Sequence, residues 1–394
     1  MIGIAITGAT GSIGDSTLDI IRQHRSNYHV IALTGHSNTS KLIQLAEEFK
    51  PQFVVVSDDS KYLEVKNALS ASEMEVLSGA EGLQTIVEHK AVDVVVAGIV
   101  GSAGMPSVMA AVEAGKTLLL ANKESLVMAG ELVMQAATEN GSRIIPLDSE
   151  HNAIYQCLGH GYQAGITPKD VEKIVLTASG GPFWNTPAEE FAGITPEQAV
   201  AHPRWDMGAK ISVDSATLMN KGLEMIEAHW LFQMPMQQIE AVVHPQSAVH
   251  SLVHFRDSSV LAQMGDADMR IPIAYGLGMA NAQPQRMTSG AADFDVLSLG
   301  RLEFYPPDTQ KFPCLQLAVD AAETGGTAPT VLNAVNEVSV AAFLQKRIRF
   351  DQIAAINDKL LSEMTYEKVE SLQQLVAIDS YARQKAQQHI EYYG

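Results

Sequence analysis

Short, nearly uninterrupted apolar runs punctuate the first 150 residues: IGIAIT, VIALT, QFVVVS, VDVVVAGI, TLLLA and RIIPL. Each is rich in β-branched residues and too short for a buried helix. Between them lie segments of helical periodicity, among them STLDIIRQH, SKLIQLAEEF and PSVMAAVEAG. A strand with no polar face is buried on both sides, and intervening helices supply the cover. The pattern predicts a Rossmann-like, doubly wound α/β domain.

From about residue 150 the rhythm changes. KIVLTAS, IEAVVHP, AVHSLVHF and SVLAQMG follow one another with fewer helices between them. That spacing predicts an α+β domain with a more antiparallel sheet. The stretch NAQPQRMTSGAADFDVLSLGRLEFYPPDTQKFP is irregular and rich in turn residues, as a linker is. Beyond it CLQLAVDAAETGG, PTVLNAVNEVSVAAFLQKR, FDQIAAINDKLLSEM and the tail read as four helices.

Composition narrows the function. At 394 residues the chain is long enough for two or three domains, and 46% apolar residues suit a folded soluble protein. A formal charge of −18 repels nucleic acid and anionic lipid, so neither is an expected partner. An anionic substrate needs a local cationic pocket. Two cysteines, Cys157 and Cys314, are no disulfide framework and fit a reducing compartment. MIGIAITGATGSIG has neither a basic leader nor a long apolar run, so a cytoplasmic protein is expected.

GATGSIG places Gly8, Gly11 and Gly14 between the first strand and the first helix. There the backbone can approach a pyrophosphate, and the free N–H groups of the helix start attract its charge. An ordinary tight turn is the plain alternative, but the order strand, loop, helix favours a dinucleotide. The second strand ends in LTGHSNTSK, with no acid before Glu47. An NAD site usually has a carboxylate there for the ribose hydroxyl; its absence favours NADP. Only His36 and Lys41 offer charge to a 2′-phosphate. GIVGSAG and then Asn122, Lys123 and Glu124 follow later strands, at the ends where such sheets bind ligands.

In RIIPLDSEHNAIYQ two acids flank Ser149 at the mouth of a strand. If the strand continues, Asp148 and Glu150 point to one face, which favours a cation between them. The alternative is that Asp148 or Ser149 caps a helix. ISVDSATLMNKGLEMIEAHWLF reads as a strand-to-helix transition, placing Asn220, Lys221 and Glu224 close to one helical face. Glu224 completes an oxygen-only site for Mg²⁺ or Mn²⁺, although Glu227 is also available. TASGGPF offers Ser179 before two glycines, a phosphate-cradle composition, with Ser215, Asn220 and Lys221 as further donors. ITPEQAVAHPRWDMGAKIS suits a closing loop, with Trp205 excluding water and His202 donating to an anion. His250 is a weaker candidate, and His244 and His254 read as structural.

Taken together, GATGSIG, ANKESLV, LDSEHNAI, TASGGPF, HPRWDMG, KISVDSATLMNKGLEMIEAHWLF, HPQSAVHS and DMRIPIA closely resemble the 1-deoxy-D-xylulose 5-phosphate reductoisomerase family, over nearly the whole chain. The resemblance implies a homodimer that rearranges a phosphorylated sugar and reduces it with NADPH, using Mg²⁺ or Mn²⁺, in non-mevalonate isoprenoid synthesis. It implies an NADPH-binding domain at 1–148, a catalytic domain at 149–280 with a flap at about 184–210, a linker at 281–310 and a helical domain at 311–394. Metal ligands carry over to Asp148, Glu150 and Glu224. Substrate contacts carry over to these two glutamates and to Lys123, Ser149, Ser179, His202, Ser215, Asn220 and Lys221; Glu150, Lys123 and His202 are the expected catalytic groups. Cofactor contacts carry over to Thr10, Gly11, Ser12, Ile13, Asn122, Glu124 and Gly208, with the turn Gly35, His36, Ser37 and Asn38. Trp205, Met207, His250 and Met269 are expected around the pocket. Many members have Lys or Arg in the turn after the second strand; this chain has Ser37 there, with Lys41 as the expected compensation.

Overall fold

The computed structural model describes residues 1–205 and 207–391. The apolar runs form a parallel sheet of β1 (Ile2–Thr7), β2 (Tyr28–Gly35), β3 (Phe53–Val56), β4 (Glu75–Ser78), β5 (Val94–Ala97), β6 (Thr117–Leu120) and β7 (Arg143–Pro146). Their order is β4-β3-β2-β1-β5-β6-β7. β3 and β5 are buried at every position, as strands covered on both faces must be. β4 is the one strand of this sheet that the apolar pattern did not reveal. It lies at the edge, is incompletely buried, and carries Glu75 and Ser78 where a central strand would carry valine.

The chain reverses its direction of winding between β1 and β5, whose registers are adjacent. The crevice at the carboxyl ends of such strands is where open α/β sheets receive ligands. Two glycine-rich turns flank it, and they touch. Gly8 has φ +77°, and a Cβ there would lie 2.7 Å from the Gly98 carbonyl oxygen. Gly14 packs the helix Ser12–Gln23 so tightly on the turn that a Cβ would meet Ala9 O at 2.3 Å.

A second sheet holds β8 (Val171–Ala178), β9 (Ile239–Val243), β10 (Val249–Phe255) and β11 (Val260–Met264), in the order β11-β10-β8-β9. β10 is antiparallel to β8 and β11, while β8 and β9 run parallel. After β11 the helix Arg270–Met279 returns to the first sheet, where Ile273, Tyr275 and Leu277 share a core with Ile4, Leu18 and Leu33. Residues 280–312 are mostly irregular, with one short helix at Val296–Leu299. The four C-terminal helices stand at Pro313–Thr324, Ala328–Leu344, Phe350–Glu363 and Leu372–Glu391. Ala328–Leu344 is apolar on nearly all sides and is accordingly the central one. No helix among the described residues is long and apolar enough to cross a membrane.

One open alternative is decided and one expectation is corrected. β7 stops at Pro146, and Asp148 is the residue preceding a helix, Ser149–Leu158, with backbone angles of −56° and 132°. The acids therefore converge from a helix start and not from a continued strand. The segment from residue 209 is helix followed by helix, Ala209–Ala216 and Met219–Phe232, joined through Leu218 at φ 60°. The β-branched residues of KISV lose to packing: Ser212, Val213 and Asp214 are buried in that helix, which lies against Ala328–Leu344.

Candidate active site

Three segments deliver charge to one place. Lys123 opens the helix Lys123–Glu139 after β6, Asp148 and Glu150 open the next helix after β7, and Glu224 comes from Met219–Phe232. Asn122 sets the first start, its Oδ1 accepting from the Ser125 amide at 2.9 Å while its Nδ2 donates to the carbonyls of Ile99 and Gly101 at 2.6 and 2.9 Å. The β5 turn and the β6 helix are thereby tied together at the sheet's mouth.

Carboxylate oxygens of Asp148, Glu150 and Glu224 lie within 4.8 Å of one another. Two ammonium groups are woven through them. Lys123 Nζ pairs with Asp148, lies 2.9 Å from Glu224 Oε1 and donates to Asn220 Oδ1 at 3.0 Å. Lys221 Nζ pairs with Glu224 and lies 2.6 Å from Glu150 Oε1. Asn220 also donates to Glu224, and Ser149 Oγ donates to Glu150 Oε2 at 2.5 Å. Lys221, which by itself could have been a solvated surface lysine, is buried.

Burial and neighbours push these groups apart in acidity. Burial opposes ionisation of Asp148, but the Lys123 ammonium and other nearby cations overcome it and hold the carboxyl well below its usual range. Burial and the Glu224 charge raise Glu150 to about 8, because Lys221 is shared with Glu224 and cannot neutralise both. Lys123 is disfavoured by burial, yet Asp148 and Glu224 together carry its pKa well above the ordinary value.

Behind these acids stands Glu227, wholly buried with neither carboxyl oxygen hydrogen-bonded, and burial followed by the Asp148 charge raises its pKa strongly. Its nearest cationic candidate, His151 Nδ1, is 3.5 Å away, and His151 Nε2 donates to the Glu224 carbonyl at 2.8 Å. The sequence reading weighed Glu227 only as a substitute for Glu224 and missed His151. Four acids share two lysines, so all four cannot be ionised together without a further cation, and the carboxyl donors facing one another are all oxygen. That is the fit expected for Mg²⁺ or Mn²⁺, which take carboxylate oxygens and keep positions for water or substrate.

A second cluster lies beyond β8. Ser179 follows the strand, and Gly180 and Gly181 turn at φ +84° and +69°. A Cβ on Gly181 would meet the Ser215 carbonyl at 2.8 Å, so the turn closes directly on the helix that carries Ser215. His202 Nε2 lies 2.8 Å from Ser179 Oγ. Its Nδ1 accepts from the amides of Trp205 and Arg204 at 2.9 and 3.3 Å, which leaves Nε2 as the protonated nitrogen. Burial lowers the His202 pKa and keeps the ring neutral. Trp205 faces His250 with ring centroids 6.1 Å apart, and both line a small cleft with Ser149, Asp266 and Asp268. Burial lowers His250 to about 4. Met207 and Gly208 lead into Ala209–Ala216, and Met269 packs against the first core at the start of Arg270–Met279.

The residues expected to meet the pyrophosphate stand at the mouth of the first sheet. Gly11 precedes the first helix, and Ser12 and Ile13 begin it. Glu124 is buried and held by Lys210 Nζ at 3.0 Å; Lys210 also pairs with Asp214 at 2.8 Å. Asp214 accepts from Asn336, which accepts from Asn357, at 2.8 and 3.0 Å. Lys210 and Asp214 stand within the KISVDSATLMNKG motif and Asn336 and Asn357 in no motif, but none was given a role, because this buried chain of contacts exists only once distant helices pack. Lys41, the expected compensation at this turn, has its ammonium 2.5 Å from Asp15 and donates to the Thr10 carbonyl at 3.1 Å.

Comparison with known proteins agrees over the whole length. The 1-deoxy-D-xylulose 5-phosphate reductoisomerase family matches residues 4–130, its C-terminal domain residues 144–232, and the DXP reductoisomerase C-terminal domain residues 264–385. Proteins of that name from Pseudomonas paraeruginosa and Ralstonia pickettii are 51% and 49% identical, each over 99% of this chain and 98% of theirs. A DOX-P reductoisomerase crystal structure in complex with NADPH, fosmidomycin and magnesium is 45% identical, covers 99% of this chain and 98% of its own, and has a TM-score of 0.92. The Zymomonas mobilis 1-deoxy-D-xylulose 5-phosphate reductoisomerase in complex with NADPH is 44% identical, covers 99% of each chain and has a TM-score of 0.90.

Proposed function

Since the chain belongs to the 1-deoxy-D-xylulose 5-phosphate reductoisomerase family, we infer that it rearranges that sugar phosphate and reduces the product with NADPH. The product is 2-C-methyl-D-erythritol 4-phosphate, in non-mevalonate isoprenoid precursor synthesis. The convergence of Asp148, Glu150 and Glu224 oxygens within 4.8 Å carries the assignment of the reaction centre. These three hold the divalent cation, Mg²⁺ or Mn²⁺. When bound, that cation supplies Lewis-acid stabilisation of the oxygen charge that forms as a carbon–carbon bond moves, and NADPH supplies hydride.

The remaining work belongs to the side chains. Glu150 is the proton carrier, since its raised pKa lets it hold or release a proton near neutrality. Lys123 keeps Asp148 and Glu224 oriented and is positioned to donate to a substrate oxygen. Ser149 restrains Glu150 through its hydroxyl. Ser179, Ser215, Asn220, Lys221 and neutral His202, donating from Nε2, hold the phosphate, and this remote binding orients the reacting carbons. Trp205 and Met207, on the segment at about 184–210, exclude water. Thr10, Gly11, Ser12 and Ile13 receive the pyrophosphate at the helix start, with Asn122, Glu124 and Gly208 bordering the nicotinamide end.

The parts are divided as an NADPH-binding domain at 1–148, a catalytic domain at 149–280, a linker at 281–310 and a helical domain from 311. A homodimer is supported by the exposed apolar edge strand β11, where Val260 and Leu261 are 43% and 49% exposed, and by Leu297 in the linker at 90%. An unprotected apolar edge is a pairing surface. Free thiols at Cys157 and Cys314 suit a cytoplasmic setting. The test is incubation with 1-deoxy-D-xylulose 5-phosphate and NADPH, with and without Mg²⁺ or Mn²⁺, following absorbance of the reduced nicotinamide. Cofactor oxidation that requires the metal supports the assignment; oxidation indifferent to a chelator refutes it.

A further inference from the structure

We propose that Arg383, on the helix Leu372–Glu391, is a positioning residue for the cofactor: it holds the turn at 98–104 in the shape that borders the dinucleotide. The proposal rests on the NADPH assignment above and deepens it. GIVGSAG follows β5, where the first sheet reverses its winding, and open α/β sheets receive ligands at that point. Its beginning stands against the glycine turn. A Cβ on Gly98 would lie 2.9 Å from the Thr7 carbonyl oxygen and 3.3 Å from Ile13 Cγ2, beside the helix start assigned to the pyrophosphate. Val100, at the tip, is exposed, so the outer face of the turn is open to a ligand.

The other side of the turn is held by the C-terminal helices. Gly101 has φ +75°, and a Cβ there would lie 3.2 Å from Glu337 Oε1, on the helix Ala328–Leu344. Arg383 Nη2 donates to Glu337 Oε2 at 2.6 Å and to Ser102 Oγ at 3.2 Å, while its Nε donates to Asp379 Oδ2 at 2.7 Å. Asn333 Nδ2 fixes the second Glu337 oxygen at 3.2 Å. Asn122 meanwhile donates to the carbonyls of Ile99 and Gly101. The turn is thus gripped twice, by a residue expected to meet the cofactor and by one 281 positions from Ser102.

An ion pair between packed helices would by itself be a structural tie, and the contacts beyond it set this one apart. Asp379, one helical turn before Arg383, already neutralises the guanidinium, so the reach to Ser102 serves the turn and not the charge. Two carboxylates share that one guanidinium, and Glu337 lies directly against Gly101, which has no side chain to shield it. Without Arg383 both carboxylates would repel each other beneath the turn, at the edge of a site for an anionic dinucleotide. The turn would shift and the cofactor would lose its border. Among the described residues Arg383 hydrogen-bonds to Asp379, Glu337 and Ser102, and to no acid of the metal cluster. The effect should therefore fall on the cofactor and spare the sugar phosphate and the cation.

The experiment compares the natural enzyme with Arg383→Met and Ser102→Ala. The dissociation constant of NADPH is measured by nicotinamide fluorescence, together with the Michaelis constant for the sugar phosphate and the affinity for Mn²⁺. Arg383→Met should weaken NADPH binding about tenfold, the worth of a hydrogen bond to a charged group, and leave the other two constants within about twofold. Ser102→Ala keeps the pairs between the helices and removes only the link to the turn; it should weaken NADPH about threefold with the same selectivity. If Arg383→Met does not fold, Ser102→Ala decides alone. NADPH binding unchanged in the folded variants overturns the proposal. So does a loss spread equally over cofactor, sugar phosphate and metal, as a general loosening of the fold would produce. If the natural enzyme itself does not bind NADPH, the cofactor assignment falls and the proposal with it.

Discussion

Around Glu224, two lysines, an asparagine and the acids Asp148 and Glu150 are tied together in a largely buried setting. Around Gly11 the groups that would face a ligand are backbone amides, and the side chains beyond them, His36, Ser37 and Asn38, stand in solvent. The first region owes its geometry to charges that cannot be left unpaired in a buried place; removing one partner costs about 3–5 kcal/mol. The second owes its geometry to glycines that let two turns touch. A change in the first should therefore propagate through every neighbour, while a change in the second should stay local and act on affinity alone.

The sharpest attempt to break that contrast is Glu224→Gln. Turnover should fall on the order of a thousandfold, as loss of a metal ligand does, with the dissociation constant of NADPH held within about threefold. Steady-state kinetics and nicotinamide fluorescence on the same preparation check this, and near-normal turnover removes Glu224 from the metal shell. The next effect is one of pH. Folding raises the Glu150 carboxyl from 4.5 to about 8, so the cation-free fold has its full advantage from this group below 4.5 and loses it as pH rises through about 8. A cation must displace the same proton, so Mn²⁺ affinity should climb by up to about tenfold per pH unit until about 8 and then level. Calorimetric titration across that range measures the slope, which Glu150→Gln should abolish.

Smaller changes are expected where neutral hydrogen bonds or exposed positions are involved. His202→Asn should raise the Michaelis constant for the sugar phosphate about tenfold by loosening phosphate binding, with a lesser change in the constant for NADPH. Equal changes in both would take His202 out of the phosphate site. Ser37→Arg, at the open mouth of β2, should lower the Michaelis constant for NADPH a few-fold, about 1 kcal/mol, without affecting metal affinity. No effect would show that the existing turn already satisfies the 2′-phosphate.

The same contrast explains what the sequence disclosed. Glycines between a strand and a helix, and acids at strand ends, are dictated locally, so GATGSIG and LDSEHNA were legible before any packing was known. The C-terminal helices were legible through apolar periodicity. β4 was not, because an edge strand needs little apolar surface. The helix Ala209–Ala216 was not, because its β-branched residues are overruled by the helix they pack against. Glu227 and His151 showed only once Met219–Phe232 lay beside the acids, and Lys210 only once Glu124 and Asp214 were brought together from positions 90 residues apart. In each case the missing information was a partner far away along the chain.

The chain of contacts from Glu124 through Lys210 and Asp214 to Asn336 and Asn357 has a consequence for anyone trimming this enzyme. The final helices carry no reacting group, and a minimal version ending near residue 310 looks attractive on chemical grounds. Such a version would leave the Asp214 carboxylate without its amide, at the foot of the segment we propose as the flap. Shortening the protein from that end removes the post on which the proposed door would hang.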